Sequence, residues 1–178
     1  MQKVKLSFSV FIIAVFLTSF MLPRAPKEKL QWLTLAEAEQ KMKSEKKIIL
    51  IDLYTDWCGW CKVMDKKTYA NADVAKYLNE KFYPVKINAE TRETLTWKGK
   101  PFPFNAQAGV NNYALYLTKG QLSFPSTVII PKEGAAPQTI PGYIETKDME
   151  LVLKYFGEGN FEKVAFTDYQ KNFISTWK

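Results

Sequence analysis

The sequence predicts an α/β protein in which a central mixed β-sheet is flanked by helices. Three observations lead there. Two apolar, β-rich runs, "IILIDLY" (48–54) and "YPVKIN" (83–88), are separated by a long helical connection, the arrangement of a parallel pair joined by a right-handed crossover. Farther on, "FPSTVII" and "QTIPGYI" flank the turn "PKEGAAP" and read as an antiparallel hairpin. Helical stretches with capping signals precede and follow these strands, and a chain of 178 residues is long enough to bury a core of that size as one domain.

Taken in order, the first residues, "MQKVKLSFSVFIIAVFLTSFMLPRAP", show the charge-then-apolar order of a secretory signal, apolar from about Ser7 to Leu22. Export is expected, to the periplasm or to a membrane-anchored position facing it. No pair of small residues at A-x-A spacing follows, so residues 1–25 are either a cleaved signal peptide or an N-terminal membrane anchor. The segment holds no cysteine to carry a lipid, which excludes a lipoprotein. Residues 26–178 then form the expected single domain. Thr34 and Glu37 make a capping box for a helix with Leu35, Ala38 and Met42 on one face. "IILIDLY" is nearly continuous in apolar residues, as a strand covered on both faces should be. A helix is expected around Cys61 to Lys67 and another from about Asp73 to Lys81, before the second strand.

Residues 89–109 interrupt this rhythm. An irregular connection of that length inside a compact domain is either functional or has structure of its own. "VNNYALYLTKG" is a short helix ending at Gly120. After the hairpin, Thr146 opens a helix to about Phe156. Thr167 with Gln170 makes a second capping box for a terminal helix over about 166–176.

The net charge of +7 includes Lys3, Lys5 and Arg24 around the apolar segment, leaving 22 basic against 18 acidic residues beyond it. These are interleaved ("KMKSEKK", "YLNEKF", "ETRETL"), the pattern of solvated helix faces, and no nucleic-acid groove is expected.

The chain has two cysteines, Cys58 and Cys61, three residues apart and directly after the first strand. A structural zinc site needs four ligands, and the chain has no histidine and no third cysteine, so no metal is expected. The lack of histidine also removes Cys-His and Ser-His-Asp catalysis within the chain. A redox pair or an inert clip remains. Position favours redox, because Cys58 would sit at a helix N-terminus, where backbone N–H groups and the helix dipole favour a thiolate. Cys58 is then the exposed nucleophile and Cys61, one turn on, resolves a mixed disulfide. Asp52 lies inside the apolar strand, six residues before Cys58. Burial there should raise its pKa and demand a partner, and a carboxylate beneath the pair can take the proton of Cys61. The bland alternative is an Asp52 that faces solvent at a sheet edge.

"IILIDLYTDWCGWCK" followed by "FPSTVII" resembles the thioredoxin superfamily, with its Asp-x5-Cys-x2-Cys segment and a later cis-proline before a strand. The match covers roughly residues 47–156. The resemblance implies a thioredoxin-like fold with the insertion near the active-site edge. It makes Cys58 the nucleophile, Cys61 the resolving thiol, Asp52 the buried acid, Trp57 the aromatic before the motif and Pro125 the cis-proline facing the disulfide. Gly59, Trp60 and Phe124 complete the surface that would meet substrate. Trp60 stands where the best-known members have proline, and Phe124 is bulkier than the residue usual before the cis-proline.

The implied activity is thiol–disulfide exchange with protein thiols or disulfides, serviced by a separate redox partner and needing no cofactor. The rival from another class is a client-binding or scaffold module with a largely inert disulfide. The insertion leaves the carboxyl end of a strand, as Cys58 does, and should border the disulfide. Its Trp97, Phe102 and Phe104 are candidates for an apolar wall against a client, or else bury the insertion on the body.

Overall fold

The computed structural model of the protein describes residues 28–177, so the expected signal or anchor segment lies outside the described residues. A four-stranded sheet has the order β2-β1-β7-β8. Its strands are β1 (Ile48–Tyr54), β2 (Phe82–Asn88), β7 (Ser126–Ile130) and β8 (Gln138–Pro141). β1 runs parallel to β2 and antiparallel to β7, and β7 pairs antiparallel with β8, so the sheet is mixed. A single bridge, Leu33 to Val85, extends it beyond β2.

β1 is interior to the sheet, and its alternation divides the core. Ile49, Ile51 and Leu53 face one layer, with Leu35 and Ala38 of α1 (Leu35–Met42) and Tyr113, Ala114 and Leu117 of α4 (Asn112–Thr118). Leu50 faces the other, with Met64 of α2 (Gly59–Met64), Val74 and Leu78 of α3 (Ala72–Lys81), and Met149, Val152 and Leu153 of α5 (Thr146–Gly157). By the same alternation Asp52 lies on the Leu50 face, the side that carries α2. Covering an aliphatic side chain fully contributes about 1.5–3 kcal/mol, which is why the uninterrupted "IILI" run seeks the centre.

The capping box at Thr34 forms as the sequence suggests, with Thr34 N–H donating to Glu37 Oε2 at 2.7 Å and Glu37 N–H donating to Thr34 Oγ1 at 3.2 Å. The second capping box does not. α6 (Phe166–Asn172) begins one residue before Thr167, its cap is Ala165 and no side chain caps it. Aromatic packing decides its entry: Phe166 and Tyr169 sit 5.1 and 5.3 Å from the Tyr155 ring. The helix stops at Asn172 instead of running to 176, because Ser175, Thr176 and Trp177 turn back to hydrogen-bond Glu150, a carboxylate fully buried on α5.

The segment after β2 has structure of its own. β3 (Leu95–Trp97) and β4 (Lys100–Phe102) form one small hairpin, and β5 (Phe104–Asn105) pairs with β6 (Val110–Asn111) in another. Lys98 at the first turn has a φ of 52°, and its N–H donates to Glu39 on α1.

Candidate functional site

Cys58 and Cys61 are joined by a disulfide at the start of α2. Cys58 caps that helix: its Sγ accepts from the Cys61 N–H at 3.0 Å, and its own N–H donates to the Thr55 carbonyl at 3.2 Å. The chain therefore leaves β1, makes one tight turn through Thr55 to Trp57, and enters the helix with the sulfur where an N-cap oxygen would stand. Cys58 is not the exposed member that the sequence suggests. Both cysteines, joined as the disulfide, are 4% exposed. The flanking indoles take the surface instead, Trp57 at 68% and Trp60 at 62%.

Each indole is held from a different part of the fold. Trp57 Nε1–H donates to Glu90 at 2.9 Å, and its ring meets Phe124 edge-on at 6.0 Å. Trp60 lies 5.4 Å from the Tyr143 ring, in the loop after β8. Gly59 is exposed between them, with open space around it. The Phe124–Pro125 peptide is cis, Pro125 is buried, and its carbonyl accepts from the Gly142 N–H at 2.8 Å.

Asp52 is 2% exposed in the interior strand, so it is not an edge residue facing water. The parallel register sets it opposite Lys86 of β2, and the Lys86 ammonium meets Asp52 Oδ2 at 3.0 Å. The same ammonium contacts Asp65, in the wide helical turn Asp65–Tyr69 that follows α2. Burial pushes the Asp52 carboxyl up to about 6; the Lys86 charge and hydrogen bond pull it down and Asp65 adds a smaller upward push. Asp52 Oδ1 accepts no hydrogen bond from the described residues, and the hydroxyls of Thr127 and Tyr69 interact with each other nearby. Thr127 is the residue opposite Asp52 on β7, and burial, then the Asp52 charge, holds the Tyr69 phenol well above its usual range.

Lys86 is the residue that reading the sequence missed. Its signal was available, since "YPVKIN" carries a lysine inside an apolar strand just as "IILIDLY" carries an acid. Only the register shows that the two anomalies neutralise each other.

In the insertion, Trp97 and Phe102 take the buried alternative of the two left open by the sequence. The insertion's root does border the disulfide, through Glu90 and Trp57. Trp97 and Phe102, however, are each only 6% exposed and pack in the core with Tyr113. Trp97 and Lys98 lie beside Glu39, Met42, Lys46 and Glu133, the last two flanking the strand ends remote from the cysteines. The hairpin therefore folds away from the disulfide, and Trp97 and Phe102 form no client-facing wall. Phe104 is half-buried, with the Arg92 guanidinium 4.7 Å above its ring.

A mixed sheet with helices on both faces, a Cys-x2-Cys disulfide at the start of a helix and a buried acid in the strand that leads to it define a thioredoxin-fold protein. The chain belongs to the family described as Thioredox_DsbH, "Protein of unknown function, DUF255", whose model matches residues 15–148. A solved structure named "DsbH Oxidoreductase" superposes with a TM-score of 0.55 at 17% identity, covering 78% of this chain and 92% of that one. An uncharacterized protein of Caenorhabditis elegans is 39% identical over 56 residues, 32% of this chain. The thiol:disulfide interchange protein DsbD of Colwellia psychrerythraea is 41% identical over 49 residues, 26% of this chain. The chain spans 8% of the length of each of these two relatives.

Proposed function

We propose that the protein is an exported thiol–disulfide oxidoreductase that exchanges disulfides with protein substrates through Cys58. The observation that carries this reading is a Cys-x2-Cys disulfide at a helix start, reached from a strand that carries a buried Asp52–Lys86 pair on the sheet face covered by that helix. In one direction, a client thiolate attacks Cys58 Sγ, the Cys58–Cys61 bond breaks, and Cys61 leaves as a thiolate that takes a proton from Asp52. A second client thiolate then attacks the client sulfur of the mixed disulfide and releases Cys58. Two electrons pass from the client to the protein, and the client leaves oxidised.

In the other direction, the Cys58 thiolate attacks a client disulfide and one client sulfur departs as thiolate. Cys61 gives its proton to Asp52 and attacks Cys58 Sγ, expelling the second client sulfur. A carboxyl pushed up to about 6 suits both roles near neutrality, since it takes and returns a proton readily there. Trp57, Gly59, Trp60, Phe124 and Pro125 would form the client-facing surface, with the exposed indoles supplying most of its apolar area. A redox partner would restore the starting state. Export, with the first 25 residues as signal or tether, rests on the charge-then-apolar order of that segment.

The burial of both cysteines supports a second reading, a client-binding module with an inert disulfide. Insulin reduction in the presence of dithiothreitol separates the two. The oxidoreductase accelerates it and the Cys58→Ser variant does not; equal rates for both proteins would leave only the binding module.

A further inference from the structure

The Asp52–Lys86 pair has a cover that lies outside the motif and outside the sheet. Trp32 sits in the short extended segment whose Leu33 N–H donates to the Pro84 carbonyl at 2.8 Å along β2. Its half-buried indole lies 5.2 Å from the Lys86 ammonium. The same ring meets Tyr69 edge-on at 4.9 Å. Tyr54 approaches the ammonium at 5.0 Å. Lys86 is thus gripped by two rings and two carboxylates.

The groups that face Asp52 come from several elements. They are Lys86 from β2, Asp65 and Tyr69 from the turn after α2, Tyr54 from β1 itself and the hydroxyl of Thr127 from β7. Trp32 touches two of them, Lys86 and Tyr69, and the Lys86 chain and Asp65 remain partly exposed.

We propose that Trp32 is a positioning residue for the exchange reaction: its indole roofs the Asp52–Lys86–Asp65 array, keeps water from it, and thereby sets the pH dependence of exchange at the disulfide. An aromatic face packs against an ammonium and excludes water from it, so the ring shields the array while Asp52 and Asp65 themselves hold the lysine inward. Burial is the largest influence on Asp52, so water admitted through a missing roof moves the carboxyl toward its ordinary range. The kinetic consequence rests on the oxidoreductase reading, whereas the state of the carboxyl can be read without any activity.

The test is a ¹³C NMR titration of the Asp52 carboxyl in the full-length oxidised protein, alongside the pH profile of insulin reduction. Trp32→Ala should lower the Asp52 midpoint by about one pH unit and carry the activity profile the same way. Trp32→Phe should restore most of both. Should the Ala variant fail to fold, Trp32→Gln opens the same roof with a polar side chain and should lower the midpoint too. In the parent, the Trp32 indole ¹⁵N–¹H resonance should shift at the Asp52 midpoint. An unchanged midpoint in a folded Ala or Gln variant, a Phe variant as perturbed as the Ala one, or an indole resonance indifferent to Asp52 would overturn the proposal. A moved carboxyl with no exchange activity would uphold the roof and count against the oxidoreductase reading alone.

Discussion

Replacing Asp52 with asparagine should make the protein more stable at neutral pH, although it removes one partner of an ion pair. The carboxyl rises from an ordinary 3.8 to about 6 on folding, because burial outweighs the help it receives from Lys86. The folded state therefore holds the Asp52 proton more tightly than the unfolded chain does. Stability falls as pH rises through the window between those values and levels off above it. At 1.36 kcal/mol for each unit, a shift of about two units makes the ionised carboxylate cost about 3 kcal/mol at pH 7.5. A neutral amide of nearly the same shape avoids that cost and leaves Lys86 its contact with Asp65.

Urea denaturation of the oxidised parent and Asp52→Asn proteins at pH 4 and pH 7.5 measures the difference. The variant should be more stable by about 3 kcal/mol at pH 7.5 and nearly equal to the parent at pH 4. It should also resolve mixed disulfides more slowly, since the amide cannot exchange a proton with Cys61. A variant less stable than the parent at pH 7.5, or a gain of equal size at both pH values, would refute the reasoning.

Two other charges make separate predictions. Lys86→Met removes the cation that pulls Asp52 down, so the Asp52 midpoint should move above about 6 in a ¹³C titration, and stability at pH 8 should drop by about 3 kcal/mol as a buried charge loses its partner. Burial alone would raise Glu150, but bonds from Lys154, Ser175, the Trp177 N–H and Thr176 hold it down to about 2, so it stabilises the fold above its ordinary 4.5 and loses that effect as pH falls from there toward 2. Glu150→Gln sets an amide N–H₂ against those donors; it should cost about 3 kcal/mol and open residues 173–177 to carboxypeptidase digestion at pH 7, which intact-mass measurement would show.

The parts of the fold that were legible in the sequence are those whose signal is local. A seven-residue apolar run gave β1 its central place, Thr34 with Glu37 marked the first helix, and Cys58 and Cys61 marked the start of α2. What escaped depends on contacts between distant segments. The lysine opposite Asp52 follows from a parallel register, and Trp32 over that lysine follows from one bridge beyond the sheet edge. Strands of two or three residues in the insertion are too short to show a period. The inward turn of Trp97 and Phe102 toward Tyr113 was therefore invisible, and exposed aromatics were an equally good reading. At the C-terminus a sound local cap signal lost to aromatic packing on Tyr155 and to the buried carboxylate of Glu150. That acid too was marked in "MELVLKYF", as a charge set among residues destined for the core.

The central claim, that Cys58 is the sulfur through which clients exchange, is tested most directly by trapping the intermediate. A reduced Cys61→Ser protein incubated with a disulfide-containing peptide should accumulate a covalent adduct at Cys58, found by intact mass and peptide mapping, reversed by dithiothreitol and absent when Cys58 is also serine. No adduct at Cys58 under conditions where the folded variant presents a free thiol would contradict the account.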